Sequence, residues 1–240
     1  MVIGGVRAAA QFLPAAWRAS WAALTLACVA VALALHGGGV WWFMAVALTL
    51  VARGGLWRVT LNQGRPGPGG LQLGRVEARL AAVWALTALF LAILGLLFLV
   101  VLLCCAYAAA SAGRGFDPAE VVTWAPAIDA RGRVLLGAAA AVGAAGMTYA
   151  ALRTSLAEAA SVARNKVQAL SAWPLSRGKA LSLFAANLAI AAPAIGLTLL
   201  RPAGPPVWPW AIAEAATLSA VWLPMSVGLM AYAFETSEIR

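Results

Sequence analysis

Residues 80–110, "LAAVWALTALFLAILGLLFLVVLLCCAYAAA", contain no charged side chain, and this run decides the solvent in which the chain folds. A helix crosses a hydrocarbon core of about 30 Å with about 20 apolar residues, so this run has length to spare and is expected to tilt or to extend beyond the bilayer. Five further apolar runs lie between charges, at about 20–36, 40–56, 135–152, 180–200 and 208–234. The composition agrees with them. Of 240 residues, 63% are apolar and 10% charged, with a mean hydropathy of +0.88, whereas an ordinary soluble domain is about half apolar and about a quarter charged. The expected fold is all-α: one integral membrane domain over 1–240, a polytopic transmembrane helical bundle of about six spans.

The net charge of +9 does not argue for nucleic acid, because no soluble module presents a basic face; the positive residues sit between apolar runs. There they encode orientation, since short loops rich in Lys and Arg stay in the cytoplasm. With the N-terminus inside, only Arg114, Arg131, Arg133 and Arg201 of the 17 Lys and Arg fall outside. Both termini are therefore expected inside (N-in/C-in). Trp41, Trp42, Trp57, Trp84, Trp208 and Trp210 fall near the expected interfaces, where amphipathic rings settle. Arg7 and Arg18 precede the first span without a convincing small-residue cleavage site after it, so no cleavable signal peptide is expected. The Ala, Gly and Arg content resembles that of a GC-rich bacterium, which places the chain in a bacterial inner (cytoplasmic) membrane.

The first inner loop holds Gly64-Arg-Pro-Gly-Pro-Gly-Gly70 with Arg58, Arg65, Arg75 and Arg79 around it. No strand precedes it and no Lys-Ser/Thr follows, so it is not a phosphate loop. It reads as a flexible connector facing anionic lipids. In the second inner loop Leu156, Ala160, Ala163, Val167 and Leu170 recur every three or four residues, opposite Glu158, Ser161, Asn165 and Gln168. That period predicts an amphipathic helix over about 153–173, anchored by Trp173 and stopped by Pro174, lying at the cytoplasmic interface or else packed on the other spans or on a partner. The outer loop carries Asp117, Glu120 and Asp129. Without a pocket to separate their pKa values, these three carboxylates read as an exposed loop rather than as acid/base machinery.

Polar groups inside spans are costly and normally face the bundle interior. Glu214, in "AIAEAATLSAVW" (211–222), reads either as a proton- or cation-binding carboxylate or a contact to a polar substrate, or as a structural partner of Arg201 or a snorkelling side chain. Asn187 is expected to hydrogen-bond across helices, and Pro193 to kink the fifth span. The fourth span repeats Gly and Ala at four-residue spacing, which permits close backbone approach and predicts a central position. Cys28, Cys104 and Cys105 all lie in apolar runs, and His36 has no ligand partner at suitable spacing. No metal, no disulfide framework and no cofactor are expected.

Two segments echo one another. Ala16-Trp17-Arg18 with Ser20 precedes the first span, and Ala172-Trp173-Pro174 with Ser176 precedes the fifth. Both would begin on the inside, making the halves parallel repeats. With these elements, and with "VARNKVQALSAWPLSRGKA" (162–180), the chain resembles uncharacterised polytopic bacterial membrane proteins similar to the membrane domain attached to some glycerophosphodiester phosphodiesterases. Hydrolytic members of that group carry a separate soluble catalytic domain, for which six spans in 240 residues leave no room. The resemblance implies a membrane architecture and supplies no catalytic residues.

The expected function is that of a non-enzymatic scaffold, assembly factor or accessory subunit of a membrane complex. The alternative is a small transporter or permease subunit using Glu214. The expected partners are the bilayer, with anionic lipids at its cytoplasmic face, and either another membrane protein or a second copy.

Overall fold

A computed structural model describes residues 2–61, 67–111, 113, 117–201 and 207–238. Every regular element among them is helical. They are α1 (Val2–Gly37), α2 (Trp41–Thr60), α3 (Arg75–Ala110), α4 (Trp124–Ala127), α5 (Ala130–Thr154), α6 (Ala157–Ala163), α7 (Ala180–Leu199), α8 (Trp208–Ala216) and α9 (Leu223–Glu238), with a π turn at Thr217–Trp222 joining the last two. Six helices among the described residues are long and apolar enough to cross a membrane. The chain is a multi-pass membrane protein.

The described residues form two compact units, one of residues 1–85 and 152–240 and one of residues 86–151. The larger unit holds the main core, where Leu24, Leu56, Trp57, Leu156, Leu183 and Val227 are fully buried. Its first helix is longer than expected: it starts at Val2 rather than near residue 20. Small residues explain the added length. Gly5 lies against Leu229 and Tyr232 of α9, while Gly228 lies against Ala9 and Phe12, so the two backbones meet where side chains are smallest.

At Ser20 α1 leaves helical geometry (φ −131°, ψ 25°). The 3-10 turn Pro68–Gly70 occupies that kink. A Cβ on Gly70 would fall 2.7 Å from Ser20 Cα, and one on Gly55 of α2 would fall 3.1 Å from the Gly70 carbonyl. Both Gly69 and Gly70 have positive φ (59° and 82°), a conformation that costs glycine little. This stretch of the loop after α2 is thus packed between α1 and α2, not a flexible lipid-facing connector, while residues 62–66 of that loop lie outside the described residues.

The π turn has a local cause. Pro224 lacks the N–H that would meet the Ala220 carbonyl in an α-helix, and its ring would strike that oxygen. The chain widens over Thr217–Trp222, and the Trp17 indole donates to Ala220 O at 2.9 Å.

The single amphipathic helix expected over 153–173 is not formed. α5 ends at Thr154, α6 spans only Ala157–Ala163, Asn165 turns with φ 55°, and Leu170–Ser176 is a 3-10 segment. Nor is α6 two-faced: Leu156, Ala160 and Val162 are buried, and so are Ala159 and Ser161. Alanines on both sides allow neighbours all round, whereas Val167 and Leu170, the far end of the expected stripe, are exposed.

In the smaller unit the ring of Phe98 lies on Gly143 and Met147 approaches Gly95. Within this unit Gly137 and Gly146 face open space, and Gly143 is the glycine of α5 that serves a close contact with α3. In the connection between these helices, Asp129 accepts from Gly132 N at 2.7 Å as the cap of α5, and Asp117 Oδ1 accepts from Ala119 N at 2.8 Å. Two of the three loop carboxylates are therefore spent on backbone geometry.

The Gly70 contact generates a paired test. Gly38 is also left-handed (φ 61°) but has nothing near it, so Gly38→Ala should cost about 1 kcal/mol for conformation alone. Gly70→Ala adds a collision with Ser20 and should cost at least about 2 kcal/mol. Melting midpoints of the purified variants in one detergent check this; equal losses would mean that the packing at Ser20 contributes nothing.

Candidate functional site

Charged groups enter a low-dielectric interior only with partners, so the buried acids show where the bundle concentrates its polar interactions. Glu158, in the first turn of α6, is the best supplied. Its Oε2 accepts from Arg53 Nε (2.9 Å), Arg53 Nη2 (2.8 Å) and Trp57 Nε1 (2.9 Å), and its Oε1 accepts from Trp84 Nε1 (2.8 Å). Arg53 and Trp57 stand four residues apart and so share one face of α2. The Arg53 guanidinium also lies 5.7 Å from the centre of the Trp84 ring on α3. One carboxylate thereby joins α2, α3 and α6.

One turn on, Arg58 Nη2 donates to Glu77 Oε2. Glu77 lies against Gly54, where any Cβ would overlap its carboxylate. In this pair Arg58 Nη1 and Glu77 Oε1 are buried without a hydrogen-bond partner. The adjacent glycines of "RGGLWR" (53–58) thus divide their work: Gly54 admits Glu77 and Gly55 admits the Gly70 turn. At the same end of this unit Arg79 Nη1 donates to Asn165 Oδ1 at 2.6 Å, and Lys179 Nζ donates to Ser237 Oγ at 2.8 Å and Thr236 Oγ1 at 3.2 Å near the end of α9.

Glu214 lies elsewhere, on α8, and is buried. Its expected partner Arg201 makes no ion pair with it. Instead Thr198 of α7 donates to Glu214 Oε1 at 2.8 Å. The same hydroxyl also lies 3.0 Å from the carbonyl of Ala194, and with one proton for two acceptors it gives Glu214 only a share of a donor. Among the described residues Glu214 has no other donor. Thr198 lines a lateral groove of about 360 Å³ with Ala191, Ala194, Ile195 and Leu199 of α7 and Leu218 and Trp222 of the π turn.

Asn187 does not bridge helices; its Nδ2 donates to Leu183 O at 3.1 Å within α7. Trp173 sits beneath the Arg153 guanidinium, 5.2 Å from its ring centre, and Ser176 Oγ donates to Arg153 O at 3.0 Å. The two echoing Ser residues are both buried where a helix is interrupted or begins, and the two Trp differ: Trp17 caps a carbonyl, Trp173 carries a cation. The structure therefore brings Glu214 to Thr198 and leaves Asn187, Arg201 and Trp173 apart from it. The sequence reading missed Glu158 as a hub, because Arg53 was counted as a topology charge and Glu158 as a solvated face. The available signal was the Arg53/Trp57 pair at helical spacing. Among the described residues no cluster of His, Cys, Asp and Glu could hold a metal.

Compared with family models, with curated proteins and with solved structures, the chain matches none. No residue role is carried over from a relative.

Glu158→Gln keeps the shape and removes the charge, leaving Arg53 with a weaker acceptor in a site where both side chains are only 12% and 14% exposed. The expected loss is about 3 kcal/mol. Arg53→Met combined with Glu158→Gln should recover part of it, since no unpaired charge remains. Thermal melts of the single and double variants decide, and a double variant no more stable than Glu158→Gln would contradict the ion-pair account.

Proposed function

We propose that this is a non-enzymatic integral membrane protein of the bacterial inner membrane, N-in/C-in, acting as a scaffold, assembly factor or accessory subunit of a membrane complex. The observation that carries this reading is how Glu158 of the larger unit is spent: it takes four donor contacts, from Arg53, Trp57 and Trp84. A carboxylate supplied in this way by neighbouring helices fixes those helices against one another. The end of that unit carrying Arg53, Arg58, Arg79 and Lys179 is the cytoplasmic one in this proposal, supported by the bias of Lys and Arg toward it, with anionic lipids as its neighbours. Exposed Leu89, Ile93, Leu96 and Leu97 of α3 offer apolar surface that either lipid or another membrane protein covers.

A second reading, a small transporter or permease subunit, draws support from Glu214 with its single shared donor and from the π turn next to it, a distortion frequent at functional positions.

Purification of the tagged protein in mild detergent, followed by mass spectrometry, separates the two. The first reading expects a partner at stoichiometric amount that is lost when its contact surface is substituted. A homogeneous homomer from membranes, across several detergents, would overturn the accessory role and favour transport.

A further inference from the structure

The acid nearest the groove between α7 and the π turn is supplied very differently from Glu158. Glu158 has four donor contacts, including a guanidinium, while Glu214 has part of one hydroxyl. A buried carboxylate so poorly supplied favours any cation that reaches it. Thr198 is exposed in the groove, and Glu214, which does not itself line it, lies one hydrogen bond behind that hydroxyl, while Leu218, four residues beyond Glu214, lines the groove wall. The remaining lining is apolar: Ala191, Ala194, Ile195 and Leu199 on one side and Trp222 on the other. The volume, about 360 Å³, lies at the small end of the range of ligand pockets.

Charge complementarity therefore selects the occupant. We propose that this groove binds a lipophilic organic ammonium ion, its apolar body along α7 and Trp222 and its N–H groups directed to Thr198 Oγ1 and Glu214. The ammonium supplies the donors that the protein withholds from Glu214, and the aromatic face of Trp222 adds to the attraction for a cation. This deepens the permease reading by naming a ligand class and rests on its assignment of Glu214 as a ligand-facing acid. Binding is a property of the groove, however, and holds whether or not the ligand crosses the bilayer.

The test uses the full chain in phosphatidylcholine nanodiscs, titrated calorimetrically with 4-phenylbutylammonium against empty discs, with 4-phenylbutanol as the uncharged control. Saturable binding at one site is expected, at least tenfold tighter than for the alcohol, and weakened at least tenfold by Glu214→Gln. Ile195→Trp, at a partly exposed lining position, fills the groove without touching the acid and should abolish binding even if Glu214→Gln fails to fold. No saturable binding overturns the site, equal binding of the alcohol overturns the cation, and binding unchanged in both variants overturns the location. Vesicle uptake of the same ammonium reports separately on transport, so its absence alongside intact binding would sink the permease reading and leave the site standing.

Discussion

An unmatched charge is costly in a helical bundle that packs within a membrane, and Glu158 shows how the larger unit avoids that cost at one site. Its carboxylate receives both arms of a guanidinium edge and two indole N–H groups, from two helices other than its own. Such a fully supplied group is directional as well as cohesive, because each donor fixes the rotation of its helix about the acid. Apolar contacts alone do not fix rotation, since a bilayer is as apolar as leucine and rewards no particular face. The polar hub therefore specifies the register that the alanine- and leucine-rich surfaces leave open.

Once α2 is oriented in this way, the rest of its 53–58 stretch is committed. Arg53 and Trp57 face Glu158, so Gly54 and Arg58 face Glu77, and Gly55 turns to the Gly70 carbonyl and Ser20. A side chain at either glycine would push one of these neighbours away. The kink of α1 at Ser20 and the tucked Pro68–Gly70 turn are then parts of one arrangement. The strongest irregularity elsewhere, the π turn, follows a similar logic with a different origin: Pro224 withdraws a donor from Ala220, and Trp17 on α1 replaces it. In both places a backbone that departs from the α-helix is tolerated because protein, not lipid, covers it.

The six spans were legible because uninterrupted apolarity has one physical meaning in a chain of this composition. Their ends were less so. The N-terminal half of α1 escaped since Arg7 and Arg18 interrupt its hydropathy, although the Gly5, Ala9 and Ala16 spacing marks a buried face. Periodicity misread 153–173 because alanine is compatible with either lipid or protein, so a stripe that is partly alanine does not say which side is buried. Single residues were harder still. Glu214 stands out in the sequence as an acid within an apolar run and is buried on α8, but the nearest cation in sequence, Arg201, is not its partner; sequence proximity across a loop does not bring a long side chain to a carboxylate two turns down a helix.

The contrast between the two acids of α6 and α8 is the most informative feature of the molecule. Desolvation acts on both, and a chain whose sole need was cohesion would have little reason to place Glu214 next to a threonine that already has a carbonyl to serve. The Thr198 hydroxyl has one proton, and whichever acceptor takes it, the other is undersupplied. That shortage sits behind Thr198, a residue of the groove wall, and beside the π turn. A glutamine there would satisfy Thr198 and Ala194 through its own amide donors without a charge. A carboxylate where an amide would serve the fold better is what separates Glu214 from Glu158 and directs attention to what approaches it from the groove.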